Sequence, residues 1–124
     1  MKMLSVKQKK GNELLLNPAF IVSMEQDSFS TKVIVFEPNS IPKIYVIKDG
    51  IDLIEDKLAP IKILRLKMKR TEHELLINPA FTISAEREFD STKIILSCPD
   101  SNSELLTFNV CDGVALIERK LASI

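Results

Sequence analysis

The sequence is written twice. Glu13–Phe20 reads ELLLNPAF and Glu74–Phe81 reads ELLINPAF. Ser30-Thr31-Lys32 returns as Ser91-Thr92-Lys93, and DGIDLIEDKLAPI from Asp49 returns as DGVALIERKLASI from Asp112. The opening KMLSVKQKK from Lys2 matches KILRLKMKR from Lys62, and about half of the aligned positions are identical. The unit is therefore about 60 residues long, and the chain divides into repeats 1–61 and 62–124. Any fold proposed for one copy must serve the other.

Each copy reads as strands followed by a short helix. Leu4 and Val6 alternate with Lys7 and Lys9, a strand pattern with one face inward. Lys10-Gly11-Asn12 supplies a turn. Leu14–Leu16 form a second short strand that stops at Asn17-Pro18, because proline has no N–H and restricts the residue before it. Phe20–Glu25, Lys32–Phe36 and Ile44–Ile47 complete five strands. Asp49 is placed to cap a helix, with Asp52 three residues on in a capping-box-like start. Ile51, Ile54 and Leu58 share one face of that helix, as do Val114, Ile117 and Leu121 in the second copy.

Five strands in so short a unit must curl to bury an apolar face. The expected fold is mainly β: two tandem five-stranded small barrels of the Sm-like or SH3-like kind, each with one short helix. The alternative is one fused sandwich whose ten strands share a core. Units this small are marginal alone, so the copies are expected to pack on each other. A heterologous edge-to-edge contact between them would continue from chain to chain and predicts a homo-oligomeric ring.

Composition narrows the class. The 124 residues hold 17 Lys plus Arg against 17 Asp plus Glu, with 45% hydrophobic and 27% charged residues. That is the balance of a folded domain, with neither a basic tail nor an acidic mimic. No apolar run approaches the length of a membrane span, and the first residues lack a secretory pattern, so a cytoplasmic location is expected. Two cysteines are too few for a disulfide-stapled secreted module.

Leu16-Asn17-Pro18, Ile34, Tyr45-x-Ile47 and the helix from Gly50 of the first copy, with their counterparts in the second, occur in an order that resembles the small flagellar FlbD-like family. The resemblance implies an accessory assembly protein. At the level of fold, the bent strands look like Sm/LSm-like proteins, which bind RNA as rings. The chain departs from the Sm pattern in lacking its glycine- and aspartate-bearing first motif and its Arg-Gly dipeptide; the glycines are Gly11, Gly50 and Gly113 alone.

No catalytic constellation is apparent, so the chain is read as non-enzymatic. His73 is the single histidine, sits at a turn, and has no counterpart in the first copy, which makes it a solvated loop residue. Cys98 and Cys111 belong at opposite ends of a hairpin, too far apart for a disulfide, and with His73 do not space as a metal site. A thiol switch at these two cysteines would need oxidant-dependent behaviour to support it. No glycine cluster signals a nucleotide loop, so no cofactor, metal or small-molecule substrate is expected. Asp52, Glu55 and Asp56 read as ordinary solvated helix charges. Asn17 and Asn78, each before proline, read as satisfying the backbone at a kink.

The charge pattern that stands out is on the first strand of each copy. Lys7, Lys9 and Lys10 in one, and Arg65, Lys67, Lys69 and Arg70 in the other, lie on the outward face or the turn that follows. These seven residues are the candidate nucleic-acid contacts, for RNA or single-stranded DNA. The plainer reading is that lysines protect exposed strand edges. Phe29, Phe89 and Tyr45 are the aromatics near turns that would stack on bases, whereas Phe20 and Phe81 read as core. Two functions follow: a multimeric nucleic-acid-binding protein, or a flagellar- or phage-like accessory protein that binds protein partners only.

Overall fold

A computed structural model describes residues 2–59 and 61–123. The first copy forms β1 (Leu4–Lys7), β2 (Glu13–Leu16), a single 3-10 turn at Pro18–Phe20, β3 (Ile21–Gln26), β4 (Thr31–Val35), β5 (Lys43–Ile47) and α1 (Ile51–Leu58). The second repeats the order as β6 (Leu64–Lys67), β7 (Glu74–Ile77), a 3-10 turn at Pro79–Phe81, β8 (Thr82–Arg87), β9 (Thr92–Pro99), β10 (Leu105–Val110) and α2 (Val114–Ala122). The strand expectations hold to within a residue or so, and the Asn-Pro breaks fall where proline demands them.

Neither copy closes into a barrel, which corrects the tandem-barrel expectation. The reason is the partner that β3 takes. It does not return to β2 of its own copy but pairs antiparallel with β7 of the other, Ser23 opposite Ile77 and Gln26 opposite Glu74. The result is a five-stranded sheet in the order β5-β4-β3-β7-β6, flanked by the hairpin β1-β2 and the sheet β10-β9-β8. Isolated bridges join the pieces: Gln8 opposite Ile47 links β1 to β5, and Met68 opposite Val110 links β6 to β10. Lys9 N donates to Val46 O at 2.8 Å, and Lys69 N to Asn109 O at 2.9 Å, beside those bridges. Traced through every pairing, the ten strands of the described residues form one ribbon, β2-β1-β5-β4-β3-β7-β6-β10-β9-β8.

The core divides in two, and the halves exchange residues at the seam. Leu4, Val6, Met24, Val33, Ile47, Ile51 and Ile54 make the first cluster together with Leu76 from β7. Leu64, Leu66, Ile94, Leu96, Val110 and Ile117 make the second together with Val22 and Ile34 from the first copy. Fully burying one such side chain contributes about 1.5–3 kcal/mol, so these crossing residues tie the copies together. The fused sandwich with a single core is therefore not the arrangement adopted.

The Asp-Gly pairs work differently from the capping box expected of them. The helix N-caps are Gly50 and Gly113, neither with a side-chain cap. Asp49 Oδ1 instead accepts from Lys7 N at 2.7 Å, and Lys57 Nζ reaches Asp49 Oδ2 at 3.4 Å and Ser5 O at 2.8 Å. The second copy repeats this: Asp112 accepts from Lys67 N at 2.9 Å and Lys120 Nζ at 3.2 Å, while Lys120 also donates to Arg65 O at 2.7 Å. Thr31 and Thr92 hydroxyls donate to the carbonyls of Asp49 and Asp112, each at 2.7 Å. Each network fastens the first strand of a copy to the start of its helix.

Candidate nucleic-acid interface

Antiparallel pairing collects four turns along one rim of the ribbon. Lys7 opposite Glu13 and Lys67 opposite Glu74 set the turns at 8–12 and 68–73. Gln26 opposite Thr31 and Arg87 opposite Thr92 set those at 27–30 and 88–91. Because Gln26 also lies opposite Glu74, the 27–30 and 68–73 turns are neighbours. The rim turns use left-handed backbone at equivalent places: Gly11 has φ 128° and Glu72 has φ 60°.

Six of the seven candidate basic residues lie on this rim with exposed side chains: Lys7, Lys9, Lys10, Lys67, Lys69 and Arg70. Arg65 does not join them. Its guanidinium donates to Asp52 Oδ1 at 2.8 Å, Glu55 Oε1 at 3.0 Å and Glu74 Oε2 at 3.5 Å. The hydrogen bond to Asp52, opposed in part by desolvation, holds Arg65 above its ordinary value, so it stays charged but already neutralised. Asp52 and Glu55 are thus partners of Arg65 and not free helix charges.

The edge-protection reading of the lysines also fails. β1 and β6 end their sheets, but their lysine-bearing ends, residues 7–9 and 67–69, are bridged and hydrogen-bonded to β5 and β10, so among the described residues the strands left with one partner are β2 and β8.

Acids share the rim. Asp27, Glu72, Glu88 and Asp90 are exposed among the basic residues. A shallow groove of about 620 Å³ is lined by Lys69, Arg70, Glu88, Asp90, Thr107 and Asn109. Asp27 Oδ1 accepts from Phe29 N and Ser30 N, both at 2.8 Å, and these bonds hold its carboxyl below the usual carboxylate range. The resulting turn presents Phe29 at 84% exposure, and the equivalent turn presents Phe89 fully exposed. Tyr45 is half-buried against the first core, as are Phe20 and, against the second, Phe81.

His73 is not a freely solvated loop residue. Its Nδ1 lies 2.8 Å from Glu25 Oε2, so it joins the two copies across the seam. The asparagines behave as expected, Asn17 Oδ1 accepting from Ala19 N and Asn78 Oδ1 from Ala80 N, each at 3.0 Å. Asn78 adds a bond that no sequence pattern foretold, from Nδ2 to Ile21 O at 3.0 Å across the seam. Cys98 is buried and Cys111 exposed, and both are free thiols.

No protein-family model matches the sequence, and no curated protein does. The fold is nonetheless that of a known structural class. The chain superposes on the LytTr DNA-binding domain of a protein described as a methyl-accepting/DNA response regulator from Bacillus cereus, with a TM-score of 0.64 at 14% identity, over 100% of this chain and 99% of that one. At that identity the likeness is one of fold. It replaces both resemblances drawn from the sequence: the architecture is neither Sm-like nor that of the FlbD-like family, so the RNA-binding ring that the Sm resemblance implied loses its support, and the likeness gives none to the ring expected from edge-to-edge pairing of the copies. No helix among the described residues is long and apolar enough to cross a membrane.

Proposed function

We propose that this chain is a non-enzymatic DNA-binding module whose contact surface is the turn rim. The observation that carries the reading is the rim itself: two equivalent basic turns and two exposed phenylalanines, set side by side on a fold shared with a DNA-binding domain. Lys9, Lys10, Lys69 and Arg70 would meet phosphates, which position a protein on a duplex without reading its sequence. Phe29 and Phe89 would make the apolar contacts to base edges or sugars. Lys7 and Lys67, at the strand ends beneath the turns, add to the positive potential. The acids between them, Asp27, Glu72, Glu88 and Asp90, set a limit on non-specific attraction and favour contacts at discrete points. Arg65 takes no part, since its charge is spent on Asp52, Glu55 and Glu74.

Fluorescence anisotropy of a labelled duplex, begun at low salt and continued through a salt titration, tests this. Binding should weaken linearly on logarithmic axes as salt rises. Lys9→Glu with Lys10→Glu, and Lys69→Glu with Arg70→Glu, should each lower affinity and reduce the salt slope by about one for every phosphate left without its cation. Phe29→Ala should lower affinity with the slope unchanged. Absence of binding at low salt would exclude the proposal and favour the second reading, an accessory assembly protein for protein partners only. That reading draws on the balanced charge of the rim and on the apolar free edges of the ribbon.

A further inference from the structure

The two ends of the ribbon are copies of the two strands joined at its centre. β2 repeats β7, and β8 repeats β3. At the seam, β3 and β7 are paired through Ser23–Ile77, Met24–Leu76, Glu25–Leu75 and Gln26–Glu74. At the ends, β2 pairs only with β1 and β8 only with β9 among the described residues, so each offers an open edge. From this we infer that the chain associates with a second copy of itself head to tail, β8 of one chain adding to β2 of the next in the register of the internal seam.

Three observations support that occupant. The first is continuity with an interface the molecule already makes. Transferring its register gives Ser84 opposite Leu16, Ala85 opposite Leu15, Glu86 opposite Leu14 and Arg87 opposite Glu13 of the next chain. The second is retained apolar character where water would select against it. Leu76 is fully buried at the seam, while its equivalent Leu15 is 60% exposed; Val22 is fully buried, while its equivalent Ile83 is 54% exposed. Neither free strand carries a lysine or a proline, the usual devices for blunting an edge. The third is charge complementarity gained at the ends. The seam sets Gln26 against Glu74, but the transferred register sets the cation Arg87 against Glu13, both exposed in the single chain.

The polar details of the seam have waiting counterparts. Asn78 spans it with N to Val22 O at 3.0 Å and Nδ2 to Ile21 O at 3.0 Å. The same two groups of Asn17 find no acceptor among the described residues and would meet Ile83 O and Thr82 O of the preceding chain. Asn12 stands where His73 stands, and would face Glu86 as His73 faces Glu25. A heterologous contact of this kind adds subunits in one direction, unlike a two-fold dimer, which uses one patch twice.

Light scattering of the full chain over a range of concentrations tests the inference. The mass should exceed that of the monomer and rise with concentration. Arg87→Glu places two carboxylates face to face and should raise the concentration needed for association by about tenfold or more. Leu15→Lys should do the same from the other edge; both positions are exposed in the monomer, so neither change threatens its fold. Glu13→Arg combined with Arg87→Glu in one chain restores opposite charges and should restore association. A wild-type chain that stays monomeric throughout would overturn the inference. So would an oligomer whose mass is indifferent to Arg87→Glu and Leu15→Lys, because it would be built through another surface. Neither result bears on DNA binding, which rests on different residues.

Discussion

At the scale of the residue, side chains with long-range partners are the ones that pattern reading misassigned. Asp49 looks like a helix cap from its neighbours in sequence, yet its acceptors serve Lys7 N and Lys57 Nζ, the first 42 positions away. Arg65 looks like a free strand cation, yet three carboxylates from α1 and β7 converge on it. Asn17 and Asn78 were legible because their main bond is local, to the residue two places on. Asp27 is equally local and yields a pH prediction. Its carboxyl is held below the usual range by Phe29 N and Ser30 N, so the folded chain binds its proton more weakly than the unfolded chain. The stability it contributes is therefore present at neutral pH and lost as pH falls through its folded-state value. Urea midpoints of the wild type and Asp27→Asn should differ at neutral pH and converge on acidification; a difference that does not change with pH would count against this assignment. The cysteines give a second expectation. Burial pushes the Cys98 thiol up while Cys111 lies exposed, so iodoacetamide followed by mass mapping should label Cys111 in the native chain and Cys98 only after denaturation. Native labelling of Cys98 at a similar rate would show that β9 opens far more readily than its packing implies.

At the scale of the element, strands and helices were legible because each copy repeats the same alternation, and the alternation sets which face turns inward. Leu4 and Val6 are buried with Lys7 exposed, and Leu64 and Leu66 are buried with Lys67 exposed. Ile51, Ile54 and Leu58 all reach the core from α1. Pairing was not legible, because the duplication gives β3 two equivalent partners, β2 and β7, with nearly the same sequence. The choice of β7 opens both barrels and turns two equivalent leucines into unlike residues. Leu76→Ala removes a fully buried side chain at the seam and should cost about 2–5 kcal/mol. Leu15→Ala trims a side chain that is 60% exposed and should change stability by no more than about 0.5 kcal/mol in dilute solution. Urea unfolding at low protein concentration checks both. Equal costs would mean that β2 is as buried as β7, through closure of the ribbon on itself or through association that persists on dilution.

At the scale of the whole molecule, duplication suggests two domains, whereas the pairing makes the copies interdependent. Each copy is near the lower limit at which a single core holds a chain folded. Each also lacks part of its own core: Leu76 completes the first cluster, and Val22 and Ile34 complete the second. Separating the copies would strip β3 and β7 of a shared ladder and leave those three apolar side chains in water. The intact chain should therefore unfold as one cooperative unit. Tyr45, the single tyrosine in a chain without tryptophan, reports on the first copy, where it packs half-buried against the core. Its fluorescence transition in urea should coincide with the far-UV circular dichroism transition, which reports on all ten strands. The sharper form of the experiment perturbs the other copy. Leu66 is buried in the second cluster, far in sequence from Tyr45, and Leu66→Ala should destabilise by about 2–5 kcal/mol. If the copies are coupled, that substitution moves the Tyr45 transition by the same denaturant increment as the circular dichroism transition. If Tyr45 keeps its wild-type midpoint while the dichroism signal splits in two, the copies unfold independently, and the seam between β3 and β7 is too weak to bind them into one unit.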